Sequence, residues 1–301
     1  MTTESRSPGG ALAPGPSLPD TTRLGIVRLQ VAGLDRSLEW YGRVLGFRTL
    51  SRESGVAALA AHGGDTVLIE LREQAGARPA PRRGVLGLYH FAILLPDRAA
   101  LGRFVTHLAA VGERAGASNH LVSEALYLTD PDGLGIEVYA DLPRSSWRRE
   151  GNELQMATAP LDLESVVAAS GGHPWTGMPN GTVIGHVHLH VGDIEEASRL
   201  YHEALGFDVM VSSYPGARFL SAGGYHHHLG LNTWASAGAS AAGDDDARLL
   251  EWTIVLPNDD SIRQVAKHVS ARGYAVRDAG NSVVIIDPWG TSVRLLPETV
   301  E

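Results

Sequence analysis

Residues 34–47 read LDRSLEWYGRVLGF and residues 194–207 read IEEASRLYHEALGF. At this offset of 160, Tyr41 faces Tyr201, and Leu45-Gly46-Phe47 faces Leu205-Gly206-Phe207. A second pair follows. HFAILLPDRAALGRFVTHLAAVG (90–112) matches EWTIVLPNDDSIRQVAKHVSARG (251–273) in Ile93/Ile254, Leu95-Pro96/Leu256-Pro257, His107/His268 and Gly112/Gly273. Asp130-Pro131-Asp132-Gly133 and Asp287-Pro288-Trp289-Gly290 mark equivalent turns. Repetition of this kind is a strong constraint on a fold, because each copy must be one supersecondary unit that buries its apolar face against the others.

The local grammar of the unit is legible. A short alternating segment such as IVRLQV (26–31) or HVHLHV (186–191) predicts a half-buried strand. An amphipathic helix follows; in the third copy Ile194, Ala197, Leu200, Tyr201 and Leu205 fall at helical spacing and Gly206 stops the helix. Two or three more strands complete the unit, and ALYLTDPDGLGIEVY (125–139) predicts a hairpin around a DPDG turn. The chain is therefore read as α+β, with four βαβββ units at 24–75, 84–141, 182–235 and 247–297. These give an N-terminal half (23–141) and a C-terminal half (182–297). Residues 142–181 are predicted to link the halves and to hold a short helix at 161–170. The run 235–246 (ASAGASAAGDDD) predicts a mobile loop, and residues 1–22, rich in Pro, Gly, Ser and Thr, a disordered tail. That tail lacks the charged start and apolar middle of a signal peptide, and no stretch approaches the ~20 apolar residues of a membrane helix, so a cytoplasmic protein is the default expectation.

Composition narrows the chemistry. The chain has no cysteine, which excludes disulfide scaffolds, thiolate zinc sites, iron–sulfur clusters and cysteine nucleophiles. A metal would have to be held by carboxylates, water or some of the 13 histidines. The net charge of −9 argues against nucleic acid or an anionic membrane as the main partner.

The repeat gives those histidines a register. The first position of each opening strand holds Ile26, His90, His186 and Glu251; the inward position of each last strand, 43–47 residues on, holds Glu70, Glu137, Gly230 and Arg294. His188 and His190 alternate with His186 on one strand face and are read as pocket or packing residues. His226, His227 and His228 stand together and are read on the last strand of unit 3, with His226 and His228 on one face and His227 on the other.

Four βαβββ units with candidate ligands on first and last strands resemble the vicinal oxygen chelate superfamily, over about residues 24–297. Within it the chain is most similar to the extradiol, catechol-type ring-cleaving dioxygenases. The specific part is HLVSEALYLTDPDGLGIEVY (120–139), similar to an H-x-V-S…Y-L-x-D-P-D-G-x-x-x-E segment but two residues shorter between His120 and Tyr127 than the commonest form.

The resemblance implies two open barrels of paired units around one divalent metal on two His and one Glu. Units 2 and 3 together offer His90, His186 and Glu137, whereas units 1 and 4 offer Ile26, Glu70, Glu251 and Arg294, which make no iron site. The expected pairing is thus 2+3, carrying the metal, and 1+4, structural; pairing in chain order would split the triad. A 2-His-1-carboxylate face suits Fe(II) and leaves adjacent positions open for a catecholate and O₂; Mn(II) fits the same ligands.

Such chemistry needs a proton-transfer group, and histidine suits it near neutrality. The resemblance to the family's spacing before the small-apolar pair Gly230-Leu231 selects His227, whereas strand parity with Gly230 selects His228; His227 is taken as the acid–base residue, with His228 next. Tyr127 and His120 resemble the family's hydrogen-bonding partners of substrate oxygens. Two other readings stay within the fold. A drug-sequestering protein would lack the triad. A glyoxalase-like isomerase or lyase usually has a fourth ligand at the Gly230 position, which His228 would have to fill. Open barrel edges predict a homo-oligomer.

Overall fold

A computed structural model describes residues 15–81, 83–235 and 238–298. Unit 1 comprises β1 (Arg23–Val31), α1 (Leu34–Trp40), β2 (Arg48–Glu53), β3 (Val56–Ala60) and β4 (Ile69–Glu73). Unit 2 comprises β5 (Val85–Leu94), α2 (Arg98–Val111), β6 (Gly116–Asn119), β7 (Ser123–Thr129) and β8 (Gly135–Asp141). The connecting segment carries α3 (Leu163–Ala169). Unit 3 follows with β9 (Val183–His190), α4 (Ile194–Ser198), β10 (Asp208–Val211), β11 (Ala217–Ser221) and β12 (Leu229–Asn232). Unit 4 has β13 (Arg248–Leu256), α5 (Asp259–Ala271), β14 (Val276–Asp278), β15 (Val283–Ile286) and β16 (Ser292–Pro297).

The repeated sequence signals have local causes. Leu-Pro-Asp and Leu-Pro-Asn close a strand and cap the next helix: Asp97 accepts from the Ala100 amide at 2.6 Å, and Asn258 from the Ser261 amide at 2.9 Å. In the paired YxxxLGF segments α1 and α4 each widen into a π turn, Tyr41–Leu45 and Arg199–Ala204. Gly46 and Gly206 then take positive φ, +78° and +98°, which releases the chain into the following strand.

Within a unit the first strand runs parallel to the last and the remaining strands pair antiparallel. Between units, β1 pairs antiparallel with β13, and β5 with β9. The result is two curved sheets. One has the order β14-β15-β16-β13-β1-β4-β3-β2 and joins units 4 and 1; the other, β10-β11-β12-β9-β5-β8-β7-β6, joins units 3 and 2. Each sheet is half a barrel, and a continuous apolar core including Leu29, Leu71, Ile136 and Leu189 lies beneath them. This is the fold class and the 2+3 and 1+4 pairing that the resemblance implies when applied to the register of the histidines.

Two expectations need correction. Residues 1–14 of the predicted tail lie outside the described residues, but Leu18 is 3% exposed and its amide donates to Gly206 O at 2.9 Å, so this segment packs onto the molecule. The segment predicted as a mobile loop is anchored over its described residues. Ser240–Ala241 pair with Val85–Leu86 on β5, Arg78 bonds Asp246 at 2.7 Å, and Gln30 donates to the Asp244 and Asp246 carbonyls. Small, polar composition there reflects tight local turns against another chain segment. No helix among the described residues is long and apolar enough to cross a membrane.

Candidate metal centre and its pocket

The centre of the 2+3 sheet is the β5–β9 pair. His90 lies opposite His188 and His186 opposite Ala92, so His90 and His186 are diagonal neighbours on one face. The parallel pairing of β5 with β8 sets Glu137 beside Ala92. Three buried side chains from three adjacent strands therefore converge. His90 Nε2 is 3.0 Å and His186 Nε2 3.3 Å from Glu137 Oε2, and the two Nε2 atoms are 3.2 Å apart.

This triangle has the dimensions of a metal-ligand face. Donors held about 2.1 Å from one ion in perpendicular positions stand about 3.0 Å from each other. Hydrogen bonding alone accounts for it poorly, since two ring N–H groups aimed at one oxygen would also face each other. Electrostatics agree. Burial pushes His186 down to about 4 although Glu137 pulls it upward. Burial by itself would raise Glu137, but His186 and His90 hold it well below the usual carboxylate range. A neutral imidazole and an ionised carboxylate are the forms that bind a cation.

The triad opens on a cavity of about 230 Å³ lined by Tyr89, Tyr127, Tyr214, Phe219 and Trp234, with His120, His188 and His227. His120 Nδ1 is 2.8 Å from Ala157 O, which can only accept, so this nitrogen carries the proton. His120 Nε2 therefore accepts from Tyr127 Oη at 2.5 Å. The phenol oxygen keeps its lone pairs for the cavity, and burial with the neighbouring Glu137 charge keeps the hydroxyl protonated. The two-residue shortening of the segment thus leaves His120 and Tyr127 in contact.

His227 also lines the cavity, with its ring centroid 4.0 Å from that of His186. Burial first, then its histidine neighbours, keep it neutral. His228 is not brought to the site. Its Nδ1 is 3.0 Å from Ser221 Oγ and accepts from the Ala222 amide at 3.3 Å, and its ring packs on Phe207 and Tyr225. The irregular backbone before β12 defeats the parity argument that favours it. His228 also does not fill the place of a fourth ligand. Gly230 is opposite His188, and a Cβ at 230 would lie 2.7 Å from that imidazole, so the His188 ring occupies the space a longer residue there would need.

Sequence reasoning missed three contributions. The linker folds back, and Met156, Ala157 and Thr158 form part of the cavity wall. Tyr89, adjacent to His90 in the middle of β5, and Trp234, just beyond β12, contribute aromatic lining. Asp141, four residues beyond Glu137 on β8, reaches His226. Only strand parity hinted at Asp141; nothing local marks the linker.

In the 1+4 sheet the equivalent positions hold an ion-pair network. Arg294 grips both oxygens of Glu251 at 2.7 and 2.9 Å, Arg28 bonds Glu251 and lies 3.3 Å from Glu70, and Arg72 bonds Glu70 at 2.7 Å. Two guanidinium groups take the central charge position there.

Comparison with known proteins agrees with this fold. Residues 23–138 and 183–290 match the family model of the Glyoxalase/Bleomycin resistance protein/Dioxygenase superfamily, and the chain belongs to that superfamily. It is 45% identical over 276 residues to a protein of Bacillus subtilis (strain 168) named catechol-2,3-dioxygenase, covering 90% of this chain and 96% of the relative. Among solved structures, a candidate dioxygenase of the same species matches at a TM-score of 0.65 and 12% identity, covering 95% of this chain and 87% of that one. Glyoxalase I of Zea mays matches at 0.55 and 17%, covering 92% of each. These last two likenesses are of fold.

Proposed function

We propose that the protein is an extradiol dioxygenase that opens a catechol-type ring with O₂, inserting both oxygen atoms at the carbon–carbon bond beside the two hydroxyls. The observation that carries this reading is the convergence of His90, His186 and Glu137 to within 3.3 Å of one another at the wall of an aromatic-lined cavity. In it these three residues hold Fe(II), with Mn(II) fitting the same donors. When bound, Fe(II) supplies open coordination positions beside a monoanionic face and the electrons that O₂ activation requires. The identity to a relative named catechol-2,3-dioxygenase supports the same reading.

The chain's own residues divide the remaining work. Tyr127 Oη, in contact with His120 and hydrogen-bonded to Glu137, turns its oxygen to a substrate hydroxyl. His227 takes a hydroxyl proton and returns one later, the role a neutral, buried histidine at the cavity wall can serve. Tyr89, Tyr214, Phe219 and Trp234 clamp an aromatic ring and exclude water. A glyoxalase-like reading is disfavoured because the His188 ring stands over Gly230, where a fourth ligand would enter.

The test is anaerobic loading with Fe(II) followed by catechols and O₂. A yellow ring-opened product with matching oxygen uptake is expected. Tyr127→Phe should lower turnover by about 10²-fold with iron content unchanged. Stoichiometric iron without oxygen uptake across a broad catechol panel would count decisively against the assignment.

A further inference from the structure

The acid–base group of the proposed reaction is held by two residues that this reaction does not otherwise use. His226 is fully buried, its Nε2 2.9 Å from Asp141 Oδ1 and its Nδ1 2.7 Å from His227 Nδ1. Tyr225 Oη donates to the same Asp141 oxygen at 3.1 Å, and Tyr139 Oη lies 2.7 Å from Tyr225 Oη, so the carboxylate is fixed in place. The Asp141 side chain is 29% exposed, whereas His226 and His227 are buried. The line of contacts therefore runs from solvent to the cavity.

An ionised carboxylate only accepts, so His226 Nε2 carries a hydrogen. A neutral His226 then has a bare Nδ1, which must accept from Nδ1–H of His227. That leaves Nε2 of His227 without a hydrogen, as a lone pair toward the cavity. Which nitrogen of a histidine is free is set by what the other one bonds.

We propose that Asp141 and His226 are positioning residues that fix His227 in the tautomer whose Nε2 accepts a proton from substrate. The proton count closes. A substrate hydroxyl gives its proton to Nε2 of His227, and the Nδ1 proton of His227 crosses to Nδ1 of His226. The charge then rests on His226 against the Asp141 carboxylate. His227 is again neutral, now with N–H on Nε2, and returns that proton when the two transfers run backwards. The positive charge moves from a ring centred 4.0 Å from His186 to one centred 6.2 Å from it. The catalytic consequence rests on the dioxygenase reading; the tautomer does not.

The tautomer is read by nitrogen NMR on the full-length protein labelled with ¹⁵N-histidine, the His227 signals being identified by their loss in His227→Gln. A bare Nε2 and a protonated Nδ1 are expected; a protonated Nε2 in the resting protein overturns the proposal. The kinetic arm compares two variants at equal iron content. His226→Phe keeps a ring but offers no acceptor, and kcat should fall about 100-fold with KM within about twofold. His226→Asn presents an amide oxygen near the former Nδ1 and should recover at least tenfold of that loss. Equal losses in the two variants, or unchanged kcat in His226→Phe, would also overturn it. If the wild type turns over no catechol, the dioxygenase reading fails, and the NMR result alone decides the tautomer.

Discussion

Tyr41 of unit 1 donates its phenol hydrogen to Asp130 Oδ2 of unit 2 at 3.2 Å, and the strands of these two units lie in different sheets. The relationship recurs 160 residues on in the helix and 157 in the turn, where Tyr201 donates to Asp287 at 3.0 Å. In both cases the other carboxylate oxygen receives two turn amides: those of Asp132 and Leu134 at Asp130, and those of Trp289 and Thr291 at Asp287. The tyrosine of the YxxxLGF segment and the aspartate of the DPxG turn are thus two halves of one clamp. It fastens units that are consecutive in sequence but separated by the pairing of the sheets.

This clamp gives the fold a pH dependence. Burial, with Asp132 close by, pushes Asp130 up to about 7, while the turn amides and Tyr41 pull it back. Folding therefore favours the protonated carboxyl. Its contribution is complete below the unfolded value of about 3.9 and is lost as pH rises through about 7. Asp130→Asn should flatten the fall in stability between pH 4 and 7, measured as denaturant midpoints. An unchanged slope in the variant would refute the assignment.

Metal binding is expected to depend on both units 2 and 3. His186→Ala should abolish stoichiometric iron binding, measured by metal analysis after desalting, because it removes the donor from β9. Chelation of the loaded wild type should lower stability by about 2.7 kcal/mol relative to a solution with metal at 100 times Kd. Retained stoichiometric iron in His186→Ala would overturn the 2+3 site.

The ion-pair network of the 1+4 sheet predicts a stability effect without a metal effect. Glu251 is held by Arg28 and Arg294, both mostly buried. Glu251→Ala leaves two guanidinium groups without their main counter-charge and should cost about 3 kcal/mol in denaturant unfolding. Iron content should stay at the wild-type level, and a matching loss of iron would show that the two sheets are not independent in this respect.

Gly230 predicts a steric effect. Adding a Cβ brings it to 2.7 Å from the His188 ring, so Gly230→Ala should destabilise by about 1–3 kcal/mol. Adding His188→Ala to that variant should return part of the loss, measured as a double-mutant cycle. Strict additivity of the two substitutions would mean the ring is not the obstacle.

Much of this architecture is legible in the sequence because repeated units repeat their local physics. Asp97 and Asn258 cap helices, Gly46 and Gly206 end them, and the DPxG turns close hairpins through short-range contacts alone. The register of the repeat also singles out His90, His186 and Glu137, since equivalent positions in equivalent units face equivalent surroundings. The resemblance favours His227 over His228, but strand parity points the other way and local pattern cannot separate them. The choice depends on how the backbone bends before β12, and on Ser221 and Ala222 holding His228 away from the cavity.

The sequence by itself determined the unit, its number of copies, and which positions could supply metal donors, because these follow from periodicity, caps and turns within some 50 residues. Tertiary structure alone decided what those donors do together. Pairing β5 with β9 set His90 and His186 3.2 Å apart; folding the linker over the barrel oriented His120; and the approach of β8 to the His226 segment joined Asp141 to His227 through one ring. Each of these contacts joins residues from different strands or loops, at distances fixed by sheet register and side-chain burial, which local sequence pattern does not encode.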